Sequence, residues 1–522
     1  MKRNPLAGPA PARLLRSAAV LALLGATPAL ADDAELLAKA CGDCHTTAAD
    51  GTLSRISGQR KTPEAWLMTI VRMRMSHGAD IDRQTEAALV RYLADTQGLA
   101  PSEAEPYRYA LEKDPNMVEA IDEPLGTMCA RCHTGARALL QHRTPEEWRT
   151  LIDFHVGQFP TIEYQALGRD REWYKIASTE IAELLATTQP RDTEAWSQWQ
   201  AADKPGVAGD WIVLTTLPGA GQAYGRLTVS GDASPYAVSG DLTLADGSTQ
   251  AVSGQMNLYT GYEWRATLDI GGQSYRQVLT LDGAGGLSGR QFLTAQDSLG
   301  GHLSGVRADA GAHVLGTVPE AVASLSGTVQ VVGAGLEGLT VEGAAADGLA
   351  ANAAGASVSL SAEAQGRAVL SAGDSSVGVA LYTAPDRLTV EPEFTIARVG
   401  GGSDVGPAAV PALFSAVGWL NGPDGAPATE DDIPVGIFPA GWSVDNFDEA
   451  AAEMEDAKFA GTIDAAGLFT PGDAGPNPER PMSTNNAGNL KVIATVEDGG
   501  ESLTGEAHLY ATVQRFVDTP IR

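Results

Sequence analysis

The chain of 522 residues holds only four cysteines, and its 36 lysines and arginines are outnumbered by 65 aspartates and glutamates. The scarcity of basic side chains leaves a formal charge of −29. Nucleic acid is thereby set aside as a partner, because a polyphosphate calls for a basic face. Beyond Ala31 no apolar run approaches the roughly 20 residues that a membrane-spanning helix needs, so no membrane span is expected in the mature chain. The acidic stretches Glu430-Asp431-Asp432 and Asp445 to Asp456 lack the spacing of a calcium loop. Four cysteines would ordinarily suggest two disulfides in an exported chain, but their arrangement argues otherwise. All four residues fall in two C-x-x-C-H arrangements, Cys41-Gly42-Asp43-Cys44-His45 and Cys129-Ala130-Arg131-Cys132-His133, with none left over.

The first residues carry Lys2, Arg3, Arg13 and Arg16, then an apolar run from Ala18 to Ala26, then Ala29-Leu30-Ala31. This is the pattern of a secretory signal peptide over 1–31, cut near Ala31, and it points to the periplasm. Losing four basic and no acidic side chains takes the mature chain from −29 to −33.

The length predicts roughly three or four domains. From about 32 to 204 the apolar spacing is helical, as in Ala65-Trp66-Ile70-Met73 and Ile176-Ile181-Leu184-Leu185. An internal repeat runs through this region. Cys41 to His45 matches Cys129 to His133, Thr62-Pro63-Glu64-Ala65-Trp66 matches Thr144-Pro145-Glu146-Glu147-Trp148, and Leu93 to Gln97 matches Leu185 to Gln189. The offsets of 88, 82 and 92 keep the anchors in order. Two tandem helical haem domains, 32–112 and 113–204, are therefore expected. After them come short alternating runs such as Tyr224 to Val229, Ala356 to Leu360 and Lys491 to Val496, separated by turn residues. That pattern, with 59 glycines, predicts all-β structure of the barrel or sandwich kind. Joins near Ala308 to Ala312 and Gly400 to Gly406 divide it into 205–310, 311–400 and 401–522.

A c-type haem needs two thiols that reach its vinyl groups and an imidazole beneath its iron. C-x-x-C-H supplies both from one turn of chain. Export and the absence of a βαβ pattern argue against thioredoxin-like redox chemistry or half a zinc site. Two covalently bound haem c groups are thus expected, on Cys41 and Cys44 with His45 as the iron ligand, and on Cys129 and Cys132 with His133. The repeat also nominates the ligands on the opposite faces: Met73 lies seven residues after Trp66, and His155 seven after Trp148. Met75, Met68 and His77 compete for the first iron and His142 for the second, whereas Met128, immediately before the second motif, is poorly placed for the opposite face. Trp66 and Trp148 read as packing residues. His302, His313 and His508 are scattered among the expected strands and carry no assigned role.

The order of parts, a signal peptide, two tandem cytochrome c domains with one Met and one His ligand, and three all-β units, resembles the α subunit of quinohemoprotein amine dehydrogenase over essentially the whole mature chain. The resemblance implies a first β unit that is barrel-like and two that are immunoglobulin-like. It also implies a heterotrimeric periplasmic enzyme that oxidises primary amines to aldehyde and ammonia. Its partners would be a β-propeller subunit and a small subunit bearing cysteine tryptophylquinone, with a soluble copper protein or cytochrome c as electron acceptor. The haem ligands implied are Cys41, Cys44, His45, Met73, Cys129, Cys132, His133 and His155. No residue here suggests a substrate-transforming site, so the chain alone is not expected to turn over amine. Three alternatives stay open: a di-haem peroxidase, disfavoured because both irons have candidate caps; a freestanding di-haem carrier; and a haem subunit of another periplasmic dehydrogenase. Methionine ligation raises a haem potential, so electrons are expected to run from the His133/His155 haem to the His45/Met73 haem. A potentiometric titration should assign the lower midpoint to the bis-histidine haem, and the reverse assignment would overturn that direction.

Overall fold

The computed structural model describes residues 28–163, 171–283, 285–401, 408–498 and 501–513. The expected signal peptide falls almost wholly outside them. Helix α1 (Pro28–Cys41) runs past the expected cut and delivers the first cysteine at its last residue. Among the described residues no helix is long and apolar enough to cross a membrane.

The repeated anchors are in contact with one another inside each copy. In the first, strand β1 (Gln59–Lys61) leads into helix α2 (Pro63–His77), followed by helix α3 (Arg83–Gln97). In the second, strand β2 (Gln141–Arg143) leads into helix α4 (Pro145–Gln158), and helix α5 (Ala182–Thr188) stands where α3 stood. Both α2 and α4 start the same way. Thr62 and Thr144 turn their hydroxyls back to accept the backbone N–H of Ala65 and Glu147, with proline at the first helical position, where its missing N–H costs nothing. The tryptophans four residues on are 1% exposed. Each indole N–H donates to the carbonyl of the glutamine that ends the matched anchor, Trp66 to Gln97 at 3.0 Å and Trp148 to Gln189 at 3.1 Å. A cation of the same copy lies over each ring, Lys61 over Trp66 and Arg143 over Trp148.

Strands β1 and β2 pair antiparallel in the register Gln59 with Arg143, Arg60 with His142 and Lys61 with Gln141. Since Arg60 and His142 are equivalent positions of the repeat, the pairing is symmetric about its own middle. The two copies meet here around a local two-fold axis. Glu103 sits on it, bonding Arg60 at 2.9 Å and lying 3.6 Å from the His142 ring.

Eight strands, from Gly209–Leu217 to Gly300–Arg307, form an up-and-down sheet that closes on itself, Trp211 pairing with Arg307. Closure removes both sheet edges. Side chains fill the interior: Trp211 and Trp264 meet edge to face, and a buried polar chain runs from the Trp264 indole through Gln277 and Gln291 to Thr215. Next, two four-stranded sheets over 313–381 share one core. In Ala356-Ser357-Val358-Ser359-Leu360 the apolar residues are buried and the serines face outward, as their alternation predicts. The last unit has sheets of three, four and three strands. It claims two strands that the expected division at 400 would exclude. Arg387–Glu391 pairs with Ser415–Leu420, and Phe394–Arg398 pairs with Glu501–Thr512. These two strands thus belong with the last unit although they precede the expected join, and glycine content alone could not show where the pairing partners lie. Of the acidic residues considered for calcium, Asp432 is taken by Arg387 and Asp456 by Arg480.

The first haem module is seated on the barrel through Thr260, in a turn with φ of 57°. Its N–H donates to Asp95 at 2.6 Å and its hydroxyl to the Ala94 carbonyl at 3.1 Å. Gly98 permits this approach, since a Cβ there would lie 2.8 Å from the Thr260 hydroxyl. Arg265 of the barrel bonds Glu64 of α2 at 2.5 Å. Burial raises the Asp95 carboxyl to about 6, the Thr260 hydrogen bond only partly offsetting it. The folded chain therefore holds this proton to a higher pH than the unfolded chain, and stability from this group falls as the pH rises from about 4 to about 6. Asp95→Asn should flatten the fall of the melting temperature across that window, and an unchanged slope would count against the assignment.

Candidate haem centres

Helix α1 ends at Cys41, and the chain then turns tightly, the N–H groups of Cys44 and His45 both donating to the Cys41 carbonyl at 3.2 and 2.9 Å. The second motif makes a similar turn, with Cys132 N–H donating to the Cys129 carbonyl at 3.3 Å. None of the four cysteines is in a disulfide in this structure. Cys41 and Cys129 pack against the cores of their own modules, so each motif is anchored on one side and open on the other.

His133 and His155 face each other with ring centroids 6.4 Å apart and an angle of 35° between planes. An iron bound at about 2 Å by one imidazole nitrogen on each side spaces the ring centres by roughly 6 Å, so the gap fits a six-coordinate haem iron. Both rings are oriented from behind. The His133 Nδ1–H donates to the Thr134 carbonyl at 2.7 Å and the His155 Nδ1–H to the Leu151 carbonyl at 2.8 Å, which fixes the tautomer with Nε2 free for a metal. Burial pushes His133 down to about 4 and lowers His155 as well, so both rings stay neutral. Trp173 backs His155 at 5.9 Å and is held by its indole N–H on the Met128 carbonyl. Met128 itself is buried in the module core.

In the first module the His45 Nδ1–H donates to the Ser54 carbonyl at 2.8 Å, again leaving Nε2 free. Met73 lies half-buried in the last turn of α2, one turn before the cap at Gly78. Among its competitors, Met75 is 79% exposed and His77 is exposed, while the Met68 sulfur accepts from Arg137 of the second module at 3.3 Å. His142 is occupied elsewhere. Its Nδ1–H donates to the Pro190 carbonyl and its other nitrogen faces Glu103 on the two-fold axis.

Two side chains at the haem sites were not singled out from the sequence. Arg72 stands six residues after Trp66 and Phe154 six after Trp148. Equivalent by the repeat, they touch each other, the guanidinium carbon 4.8 Å from the ring centroid. The count that found Met73 and His155 would have found them one position earlier. Arg137 had no such signal.

Three family models match the chain: quinohemoprotein amine dehydrogenase A, alpha subunit, haem binding, over 31–196; alpha subunit domain II, over 204–308; and alpha subunit domain IV, over 388–521. A comparison with curated proteins finds no match. Solved structures with partial likeness include a redesigned β barrel, mFAP1, bound to DFHBI, at 18% identity over 19% of this chain and 90% of that one, with a TM-score of 0.17. Another is Drosophila N-cadherin EC1-3, at 7% identity over 60% of this chain and 92% of that one, with a TM-score of 0.22. Scores this low carry no argument. For the axial ligands, His155→Leu and Met73→Leu should each turn one haem high-spin in the electron paramagnetic resonance spectrum, while Met75→Leu and His77→Gln leave both low-spin. A high-spin haem in Met75→Leu with none in Met73→Leu would reassign the first site.

Proposed function

The chain belongs to the family of quinohemoprotein amine dehydrogenase alpha subunits, and from that premise we propose that it is the di-haem electron-transfer subunit of a periplasmic enzyme of this kind. It is one subunit of a multi-subunit oxidoreductase. On this reading a quinone in a partner subunit, cysteine tryptophylquinone, oxidises the primary amine to aldehyde and ammonia. The electrons leave through this chain to a soluble copper protein or cytochrome c.

The observation that carries the proposal is the facing pair His133 and His155 at 6.4 Å, placed by a two-fold repeat whose other copy offers His45 and Met73. Bound haem supplies one-electron exchange at its iron, and two such groups match the two electrons of an amine oxidation. The chain's own residues fix where that exchange takes place. Cys41 and Cys44, and Cys129 and Cys132, would hold the two groups by thioether bonds. The carbonyls of Ser54, Thr134 and Leu151 aim the three imidazoles. The Trp66 and Trp148 contacts hold α2 and α4, and with them Met73 and His155, at fixed heights along the two modules.

The β units are assigned to docking. The barrel seats the first module, and the two following units, read as immunoglobulin-like, extend the surface offered to a propeller subunit and a small quinone-bearing subunit. The segment between the haem modules already makes such contacts within the chain. Lys113 pairs with Asp297 at 2.5 Å, and Asn116 exchanges two hydrogen bonds with the backbone of Leu413.

Anaerobic addition of a primary amine to the complex purified from the periplasm should reduce the haems, with two smaller chains co-purifying. An intact complex whose haems stay oxidised with every primary amine, yet are reduced by dithionite, would leave a carrier whose donor is a different enzyme.

A further inference from the structure

The seam between the two haem modules gathers positive charge in a chain that is otherwise strongly acidic. Lys61 and Arg72 enter it from the first module, Arg137 and Arg143 from the second, and Arg55 lies at its edge. A single carboxylate answers them: Glu147 takes Arg55 at 2.9 Å and lies 3.8 Å from Arg143. Lys61, buried over the Trp66 ring, donates to the neutral oxygens of Gln59 and Thr69. Among the described residues, Arg72 and Arg137 have no carboxylate in ion-pair reach. Arg72 lies over the Phe154 ring, and the Arg137 guanidinium donates to the Met68 thioether.

These cations act on one another. Burial first, and then the charge of Arg72, lowers the Arg137 guanidinium, and Arg143 and Arg72 add to burial in lowering Lys61. Half-buried like charges without counter-ions cost free energy that only an anion relieves. Both arginines also reach residues of the second haem site. Arg137 follows His133 by four residues, one helical turn's worth of chain beyond the second motif. Arg72 reaches from the other module to the residue that precedes His155.

We propose that Arg72 and Arg137 bind the propionates of the second haem, one arginine from each module, so that this cofactor is clamped across the seam between them. The proposal rests on the reading that His133 and His155 ligate a haem. An arginine fork matches a carboxylate with two parallel hydrogen bonds, and the planar guanidinium tolerates the stacked, partly dry position that Arg72 occupies. Positive charge beside an iron favours its reduced form. The two arginines therefore raise the potential of the bis-histidine haem and bring it nearer to its Met-ligated neighbour. They are positioning residues, with no part in bond making.

The test is a spectroelectrochemical titration of the intact complex in which Arg72→Gln, Arg137→Gln and the matching lysine variants are compared with the unaltered protein. Each glutamine variant should lower the midpoint of the bis-histidine haem by about tenfold in its redox equilibrium, ~59 mV for a one-electron couple, and each lysine variant should recover most of the loss. A purely structural role for the arginines would show as lower haem content or melting temperature with the midpoint unmoved. Two bound haems with the bis-histidine midpoint unchanged in both glutamine variants would overturn the proposal while leaving the haem assignment intact. Fewer than two haems by the pyridine haemochrome assay in the unaltered protein would instead overturn the reading on which it rests. Should Arg72→Gln fail to fold, Arg137→Gln and Arg72→Lys decide the same point.

Discussion

The buried guanidinium of Arg60 ties the haem-bearing half of this chain together. It is 1% exposed and donates to Glu103, to the hydroxyl of Thr193 and to the carbonyls of Gly98 and Arg191. Those partners belong to the connection after α3, the end of the second module and the start of the helix Glu194–Ala201 that leads toward the barrel. Burial alone would push the Glu103 carboxyl up, but the hydrogen bonds of Arg60 and Thr193 hold it below the usual range, so it remains a counter-charge. Removing one partner from a buried pair typically costs about 3–5 kcal/mol, because the other charge is left stranded. Lying beside the β1–β2 pairing where the two copies meet, this pair helps to hold the two haem motifs in one arrangement.

Under the proposed ligation, the repeat accounts for how one fold would supply two different electron sites. Both copies keep the threonine cap, the proline, the buried tryptophan and the carbonyl it bonds, so α2 and α4 present their seventh residue after the tryptophan in equivalent places. One copy offers Met73 there and the other His155. With Met73 and His155 as the proposed ligands, a one-residue difference on a common scaffold would separate two haem potentials, because axial-ligand identity is one of the levers a protein has on that iron. The same symmetry brings Arg72 and Phe154, and with them cations from both modules, to the seam between the two copies.

Much of this was legible in the sequence, for physical reasons that can be named. The C-x-x-C-H motifs and the Thr-Pro-Glu-x-Trp anchors are local, and their chemistry depends on spacing along the chain. The alternation in Ala356 to Leu360 and Lys491 to Val496 is set by the two-residue period of a strand. What stayed hidden depends on contacts between distant residues. The charge on Arg60 gave no hint that its partners lie at Glu103 and Thr193. His142 looked like a ligand because it is a histidine near a haem motif, and only the strand pairing reveals that it stands at the counterpart of Arg60, turned toward Glu103. Composition near Gly400 gave no sign that the strand Phe394–Arg398 before it finds its partner far beyond it, and only the hydrogen bonds with the distant Glu501–Thr512 assign that strand to the last unit.

Everything proposed for function rests on two haems joined to this one chain through its two cysteine pairs. Intact-mass analysis of the purified mature chain under denaturing conditions, followed by peptide mapping, tests that most directly. The expected result is a chain carrying two haem masses, one on the peptide containing Cys41 to His45 and one on the peptide containing Cys129 to His133. A chain with one haem or none, or with free thiols in either motif, would contradict it.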